Sequence, residues 1–310
     1  MDRRDFLKTA ISTTIVAGST LAFGGVGAFW SSQASAAEPE KPWDMVAVRG
    51  GEPDEMFDSA IAAYGGMQAF VPKGSRVVIK PNIGWDVSPA RGGNTNPRLV
   101  GRMVEHCFDA GAREVAVFDH SCDSWRQCYL NSGIEDAVEA AGGKMLSADS
   151  EGDYREVSIP NGRRLKTAQV HKALLDADVF FNVPVLKDHS SSLITASMKN
   201  LMGVVWDRWY FHRNDLHQCI ADIASFRKPD LTIVDAYHVM MRNGPRGVSE
   251  NDVVKMKAQV LATDFVAADA AGAKLYGVEP DEVRHITLAS EMGLGRMDLK
   301  DLSINRIKLG

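Results

Sequence analysis

From Met45 onward the apolar residues alternate between two periods, one suited to strands and one to helices. Met45–Arg49 is a short apolar run. Across Pro53–Tyr64 the spacing of Met56, Ile61 and Tyr64 sets apolar side chains on related helix faces, and Gly65-Gly66 supplies the stop. Arg76–Lys80 is β-branched and predicts a strand. Asn96-Pro97 reads as an N-cap followed by proline at the first helical position, opening a helix that runs to Ala110 and stops at Gly111. Further strands are predicted at Glu114–Asp119, Lys144–Leu146, Tyr154–Ile159, Val179–Val183, Leu231–Asp235, Gln259–Thr263 and Ser303–Leu309. Helices are predicted at Gly133–Ala141, Ile194–Leu201, Asp215–Phe226 and Ala267–Tyr276. Asn161-Gly162 is a turn across which Tyr154–Ile159 would find a partner.

Strands alternating with helices at this spacing imply βαβ units. The expected fold class is α/β, with a mainly parallel sheet and helices on both faces. A small inserted lobe is expected around Ser121–Arg164. No internal repeat or low-complexity linker divides the chain, so residues 37–310 are read as one domain.

The first 36 residues follow a different pattern. Asp2-Arg3-Arg4-Asp5-Phe6-Leu7-Lys8 resembles a twin-arginine export motif. No charge follows from Thr9 to Trp30, and Ala34-Ser35-Ala36 is a small-residue cleavage site. An uncleaved anchor would be long enough to span a bilayer, but four glycines in the run and the cleavage site argue for removal after Ala36. The expected partner is therefore the twin-arginine export machinery. The expected destination is periplasmic or extracellular, with no stable membrane anchor after cleavage.

Composition narrows the function classes. The formal net charge is −5 and becomes slightly more negative without the leader, which offers no nucleic-acid surface. The four cysteines, Cys107, Cys122, Cys128 and Cys219, permit disulfides in an oxidising compartment, with Cys122 and Cys128 the favoured pair. Cys107, on a helix face, reads as a buried small hydrophobe. No CxxC run supports an iron–sulfur cluster held by this chain alone. No G-x-G-x-x-G follows a strand, so a nucleotide cofactor in the usual mode is not expected, and there is no G-x-S-x-G nucleophile elbow.

The candidate chemistry collects at the carboxyl ends of the predicted strands, where open parallel sheets bind their ligands. Lys80 and Asn82 close one strand, Asp119 and His120 the next. Lys187 and His189 follow Val179–Val183, and Asp235 ends Leu231–Val234. Each taken singly could be structural: Asp119 or Asp235 could cap the next segment. Together they predict a site for a small anionic ligand. In it Lys80, Asn82, Lys199, Asn200 and Asn243 bind, and His189, Lys187 and His120 serve as acid–base groups. Asp119 and Asp235 are the candidate ligands for a divalent metal, a type of donor such ions accept, although no diagnostic spacing supports one. Asn243-Gly244-Pro245-Arg246-Gly247 lacks P-loop spacing. Trp206, Trp209, Tyr210, Phe211 and His212 form an aromatic group suited to line a pocket or a homodimer surface. His212 and His217 are spaced wrongly for a helical metal pair.

Several of these runs also carry a family resemblance. Val77–Asn82, Asn94-Thr95-Asn96-Pro97, Ala177–His189, Met198–Gly203, Lys228–Asp235, Asn243-Gly244-Pro245 and Thr263–Asp269 together resemble domain-of-unknown-function family 362. The resemblance implies no particular activity. Where relatives show Gly-Asp-Ser-Pro, this chain has Phe118-Asp119-His120-Ser121, so the turn differs. A more distant likeness, to nickel-dependent lactate racemase-like folds, is an analogy of fold. Two readings follow: an enzyme acting on a small anion, or a non-catalytic binding or accessory protein that docks a partner through its aromatic surface.

Overall fold

The computed structural model describes residues 29–30 and 43–310. The twin-arginine segment and the cleavage site lie outside the described residues. Among the described residues, no helix is long and apolar enough to cross a membrane.

The first elements form as their local chemistry predicts. Strand β1 is Met45–Arg49. Helix α1, Pro53–Ala63, starts with proline in its first turn, and the Glu55 carboxylate accepts from Glu52 N at 3.0 Å. Strand β2 is Arg76–Pro81. Helix α2, Pro97–Asp109, is capped by Asn96, whose Oδ1 accepts from Arg98 N at 3.0 Å. It buries Leu99, Val100, Met103, Val104 and Cys107, one helical stripe. Strand β3 is Glu114–Val117. Helices α3 (Trp125–Asn131) and α4 (Ile134–Ala140) lead to the short strand β4, Lys144–Met145.

Strands β5 (Tyr154–Ser158) and β6 (Thr167–His171) pair antiparallel as a separate two-stranded sheet. Of the lobe expected at Ser121–Arg164 only the end stands apart: α3, α4 and β4 pack with the main sheet, and the separate ribbon takes its second strand from beyond the expected boundary. Helix α5 is Lys172–Asp176, strand β7 Val179–Val183 and strand β8 Val185–His189. Strand β9, Leu193–Thr195, then folds back onto β8, followed by the single turn α6, Ser197–Asn200, and a tight 3-10 turn, Leu201–Val204.

That region corrects a helix expected over Ile194–Leu201. The backbone of Leu193 is left-handed, with φ 67°, and its successors pair with β8, so helix begins only at Ser197. The apolar spacing there serves a buried hairpin, which periodicity alone does not separate from a buried helix.

The remaining elements are α7 (Trp209–Arg213), α8 (Leu216–Ala224), β10 (Leu231–Met240), β11 (Val253–Ala262), α9 (Phe265–Tyr276), α10 (Arg284–Glu291) and β12 (Ile304–Lys308). Both β10 and β11 are about twice as long as expected. They form an antiparallel ribbon that continues past a bulge between Ala236 and His238.

The main sheet runs β12-β1-β11-β10-β7-β2-β3-β4, with β8 attached to β10 and β9 to β8. Pairs β2 with β3, β2 with β7, β3 with β4, β10 with β7, β10 with β8 and β1 with β12 are parallel. The pairs β1 with β11, β10 with β11 and β8 with β9 are antiparallel. The fold is thus α/β with a mostly parallel central sheet. Side chains alternate between its two faces. Val46, Val48, Val77, Ile79 and Phe181 pack on one side with α1 and α2. Met45, Ala47, Val78 and Phe180 pack on the other with α8, α9 and α10.

Strand β10 is shared by two successive partners. Thr232 pairs with Asn182 of β7, and Asp235 pairs with Val185 of β8. Pro184 sits between them; it has no N–H to give, but its carbonyl accepts from Asp235 N at 2.8 Å. The chain therefore leaves the parallel layer at Val183 and re-enters a residue later.

All four cysteines are free, which corrects the expected Cys122–Cys128 disulfide. Cys128 is buried in α3, whereas Cys122 is exposed in the loop before it, and Cys107 is fully buried, as its helix face predicts.

Phe181 is fully buried in the central strand β7, its ring edge-on to Phe70 at 6.5 Å. Phe181→Ala is expected to lose about 3–5 kcal/mol in urea unfolding with little change in slope. Val248→Ala, at a position 74% exposed, is expected to change stability by less than about 0.5 kcal/mol.

Candidate functional site

At the carboxyl ends of β2, β3 and β8 the chain encloses a cavity of about 510 Å³. Its walls hold Lys80, Asn82, Asp119, His120, Lys187, His189, Lys199 and Asn200, all expected from the sequence. They also hold Cys122, Thr195, Gly203, Trp206, Arg208, Trp209 and His212. A second cavity of about 490 Å³ lies near Arg76, His171 and Asp176. Volume does not separate the two, but chemistry does. In the second, His171 Nε2 is held by Ser147 O at 3.1 Å, and the charges at its rim are of both signs.

Lys80 is fully buried, and its ammonium lies 2.7 Å from Asp119 Oδ1. Lys80 Nζ also donates to Pro81 O at 2.8 Å and to Asn200 Oδ1 at 2.9 Å. Asp119 Oδ2 accepts from Ile83 N at 2.7 Å. Burial pulls the Lys80 ammonium below its ordinary pKa, while the Asp119 carboxylate opposes that shift.

Asn200 ties this pair to the next strand end. Its Oδ1 also accepts from Asn82 Nδ2 at 3.0 Å, and its Nδ2 donates to Lys80 O at 3.1 Å and Asn182 Oδ1 at 2.9 Å. Asn82 Oδ1 in turn accepts from Lys187 Nζ at 3.0 Å, and Lys187 Nζ donates to Gly93 O as well. A continuous polar chain thus runs Asp119, Lys80, Asn200, Asn82, Lys187 across the ends of β3, β2 and β8. The short turn α6 that carries Asn200 is anchored from below: Asp269 Oδ2 of α9 accepts from Met198 N at 2.8 Å.

Burial lowers Lys187 to about 7, helped by the Lys199 and Lys80 charges. Lys199 is half-buried and is lowered to about 8, first by burial and then by Arg208 and Lys80. Among the described residues its Nζ has no hydrogen-bond or ion-pair partner. Arg208 is spent on the loop after β3: Nη1 donates to His120 O at 2.8 Å and Cys122 Sγ at 3.1 Å, and Nη2 to Ser121 O at 2.7 Å.

Two histidines have defined tautomers. His120 Nδ1 lies 3.0 Å from Val205 O, and a carbonyl only accepts, so Nδ1 carries the proton and Nε2 keeps its lone pair. Its ring stacks on Trp206 at 5.0 Å and 2°. His189 Nδ1 accepts from Ser191 N at 3.1 Å, so in the neutral ring the proton sits on Nε2. Burial, followed by the Lys199 and Lys187 charges, lowers the His189 pKa far below the ordinary imidazole range; burial and Arg208 lower that of His120. Both rings are neutral, one offering a donor and the other an acceptor.

Two expected residues stand outside the cavity. Asp235 is 2% exposed, and its carboxylate accepts from Asn96 N at 2.7 Å and Tyr237 N at 3.0 Å. Burial raises its pKa to about 6 against those bonds. Asn243 Nδ2 donates to Asp252 Oδ1 at 2.8 Å, and only Pro245 of that turn reaches the cavity wall. The expected pairing of Asp119 and Asp235 around a metal is therefore not what the fold builds. Asp119 is committed to Lys80 and Ile83 N, and Asp235 to two backbone amides. Among the described residues no group of three or more His, Cys, Asp or Glu is placed to hold a metal ion.

Gly203, Arg208, Thr195 and Cys122 join the cavity wall in addition to the site residues that the sequence predicts. Gly203 carries the clearest steric reason. A Cβ there would lie 1.8 Å from Asp119 Oδ1 and 2.7 Å from Lys80 Nζ. Thr195 is 2% exposed, lines the cavity, and its Oγ1 has no hydrogen-bond partner. No local pattern marks Arg208 or Thr195; the hairpin β8–β9 and the turn before α7 bring them in.

Among the described residues, three lysines, one arginine and one carboxylate, itself paired, line this cavity. Fold and cavity together define an α/β protein with a basic cavity at the carboxyl ends of its parallel strands. The chain belongs to the family described as Domain of unknown function (DUF362), which matches residues 77–274. It is 28% identical over 221 residues to a thylakoid-associated protein of Synechocystis sp., covering 66% of this chain and 65% of that one. The chain thus spans slightly under two thirds of that relative. Among solved structures it is similar to a lactate racemase apoprotein from Thermoanaerobacterium thermosaccharolyticum, with 12% identity and TM-score 0.43 over 82% of this chain and 58% of that one. It is also similar to a Thermotoga maritima protein, with 11% identity and TM-score 0.45 over 78% and 60% of the two chains.

Gly203→Ala is expected to separate Lys80 from Asp119 and to cost about 3–5 kcal/mol, read by urea unfolding. Retention of wild-type stability would mean that the pair can move apart freely.

Proposed function

We propose that this chain is an enzyme acting on a small anionic substrate held in the strand-end cavity. The observation that carries this reading is a Lys199 ammonium that, among the described residues, has no partner in a pocket whose one carboxylate is already paired. An anion entering there meets an uncompensated positive charge in a partly desolvated site, where the attraction is stronger than in water. In this reading Lys199 and the Nε2–H of His189 bind the anion. Lys187, held near 7, and His120 Nε2 exchange protons with it. Asn82 and Asn200 position the lysines. No step is assigned to a metal, because the oxygens of Asp119 and Asp235 are committed elsewhere.

The cellular setting is part of the proposal and rests on residues 2–36 alone: export by the twin-arginine route, with the mature chain beginning after Ala36. The Synechocystis relative is named for its association with thylakoids, which differs from a free periplasmic or extracellular protein.

The alternative of a binding or accessory protein keeps one supporting observation. Trp209 is 70% exposed at the cavity wall, beside the partly exposed Tyr210, where a partner could cover it.

Titration calorimetry of the full chain with oxalate and with phosphate tests the anion site. Binding is expected, with a loss of about ten-fold or more in Lys199→Ala. Because the ammonium must be charged to attract the anion, affinity is expected to be full below about pH 7 and to fall as pH rises past about 8. Equal binding by wild type and Lys199→Ala, or no binding of either anion, would sink the reading.

A further inference from the structure

We propose that Lys199 is an amine nucleophile that forms an imine with the carbonyl of a small aldehyde or ketone bearing a carboxylate or phosphate. The inference rests on the anion-site reading and names the substrate class within it.

Three lysines face the cavity, and their surroundings set them apart. Lys80 Nζ has an ion-pair partner and two further acceptors. Lys187 Nζ gives its hydrogens to Asn82 Oδ1 and Gly93 O. An amine so engaged has its N–H groups fixed on protein acceptors, and attack requires breaking those bonds. Lys199 alone of the three has no such partner among the described residues, and it lies half-buried on the cavity wall. Its neighbours disfavour the charged form for the reason that activates amines elsewhere: burial beside other cations. An amine near 8, set against an ordinary lysine near 10.4, has on the order of 100-fold more free base at pH 7.

The groups needed beside such an amine are present. Thr195 Oγ1 is buried in the wall without a partner, so it can donate to a carbonyl oxygen or a carboxylate. Lys199 draws the anion in as an ammonium and attacks from the fraction that has lost its proton, the anionic group then resting on His189 Nε2–H and Thr195 Oγ1, while His120 offers an Nε2 lone pair.

The step balances without an oxidant, reductant or cofactor. The Lys199 nitrogen lone pair attacks the carbonyl carbon and forms the C–N bond. The C=O π pair moves to oxygen, which takes a proton, and nitrogen loses one. A second proton delivered to that oxygen lets the C–O bond break, water leaves, and the nitrogen lone pair closes the C=N bond. One water is released for each imine formed.

The test uses glyoxylate as the anionic carbonyl probe and cyanoborohydride to reduce any imine, followed by peptide mapping by mass spectrometry. Short exposure of the full chain at pH 7.5 is expected to label Lys199 about ten-fold or more faster than any other lysine. Oxalate should suppress that labelling, and acetaldehyde, which lacks the anion, should lose the selectivity. Lys199→Arg should bind oxalate while giving no site-selective adduct. Because the wild-type map is read alone, a variant that fails to fold does not spoil the result. Labelling spread evenly over surface lysines, or centred on Lys187, overturns the assignment; if oxalate still binds, the anion site survives. Absence of both oxalate binding and selective labelling overturns the two together.

Discussion

Everything at the open end of this sheet depends on one buried ion pair. Removing Lys80 and Asp119 from water is expensive, and their mutual attraction offsets that cost only with good geometry and further hydrogen bonds. The fold supplies both. Neighbouring parallel strands β2 and β3 bring the two side chains to 2.7 Å, Pro81 O and Asn200 Oδ1 accept from the ammonium, and Ile83 N donates to Asp119 Oδ2. Gly203 closes over the pair, where any side chain would intrude. With Asp119 paired to Lys80, the other basic groups lining the cavity have no carboxylate of their own among the described residues. The polarity of the whole pocket follows from where that single carboxylate is spent.

The sheet reaches this arrangement by interrupting itself. Pro184 breaks the chain between β7 and β8, and the long β10 bridges the gap by pairing with both. A continuous strand would have alternated Lys187 and His189 in step with Phe181 and Val183, toward the helices of one layer. The one-residue interruption instead lets β8 and its return strand β9 form a separate wall, bringing Lys187, His189 and Thr195 to the cavity.

Much of this was legible in the sequence. The parallel core strands, the cap at Asn96 and the burial of Cys107 follow from period, capping chemistry and size, all local properties. Eight of the expected site residues line one cavity because strand ends in an open parallel sheet share one rim. Asp235 failed to join them because β10 does not end there: the strand continues to Met240, and Asp235 becomes an internal anchor for Asn96 and Tyr237. Asn243 failed for a related reason, since the carboxylate of Asp252 claims its amide. Neither strand length nor the β8–β9 hairpin has a local signature, and Arg208 and Thr195 arrive only through such long-range pairing.

The glycine over the ion pair changes how loss of function at this rim should be interpreted. Positions 80, 119 and 203 fit one another like a lock of three tumblers, so altering one misaligns the other two. A survey of single substitutions would find all three intolerant whether or not any of them touches a substrate. Intolerance here reports on the integrity of the rim. The chemistry has to be sought at neighbours such as Lys199, which among the described residues has no hydrogen-bond or ion-pair partner.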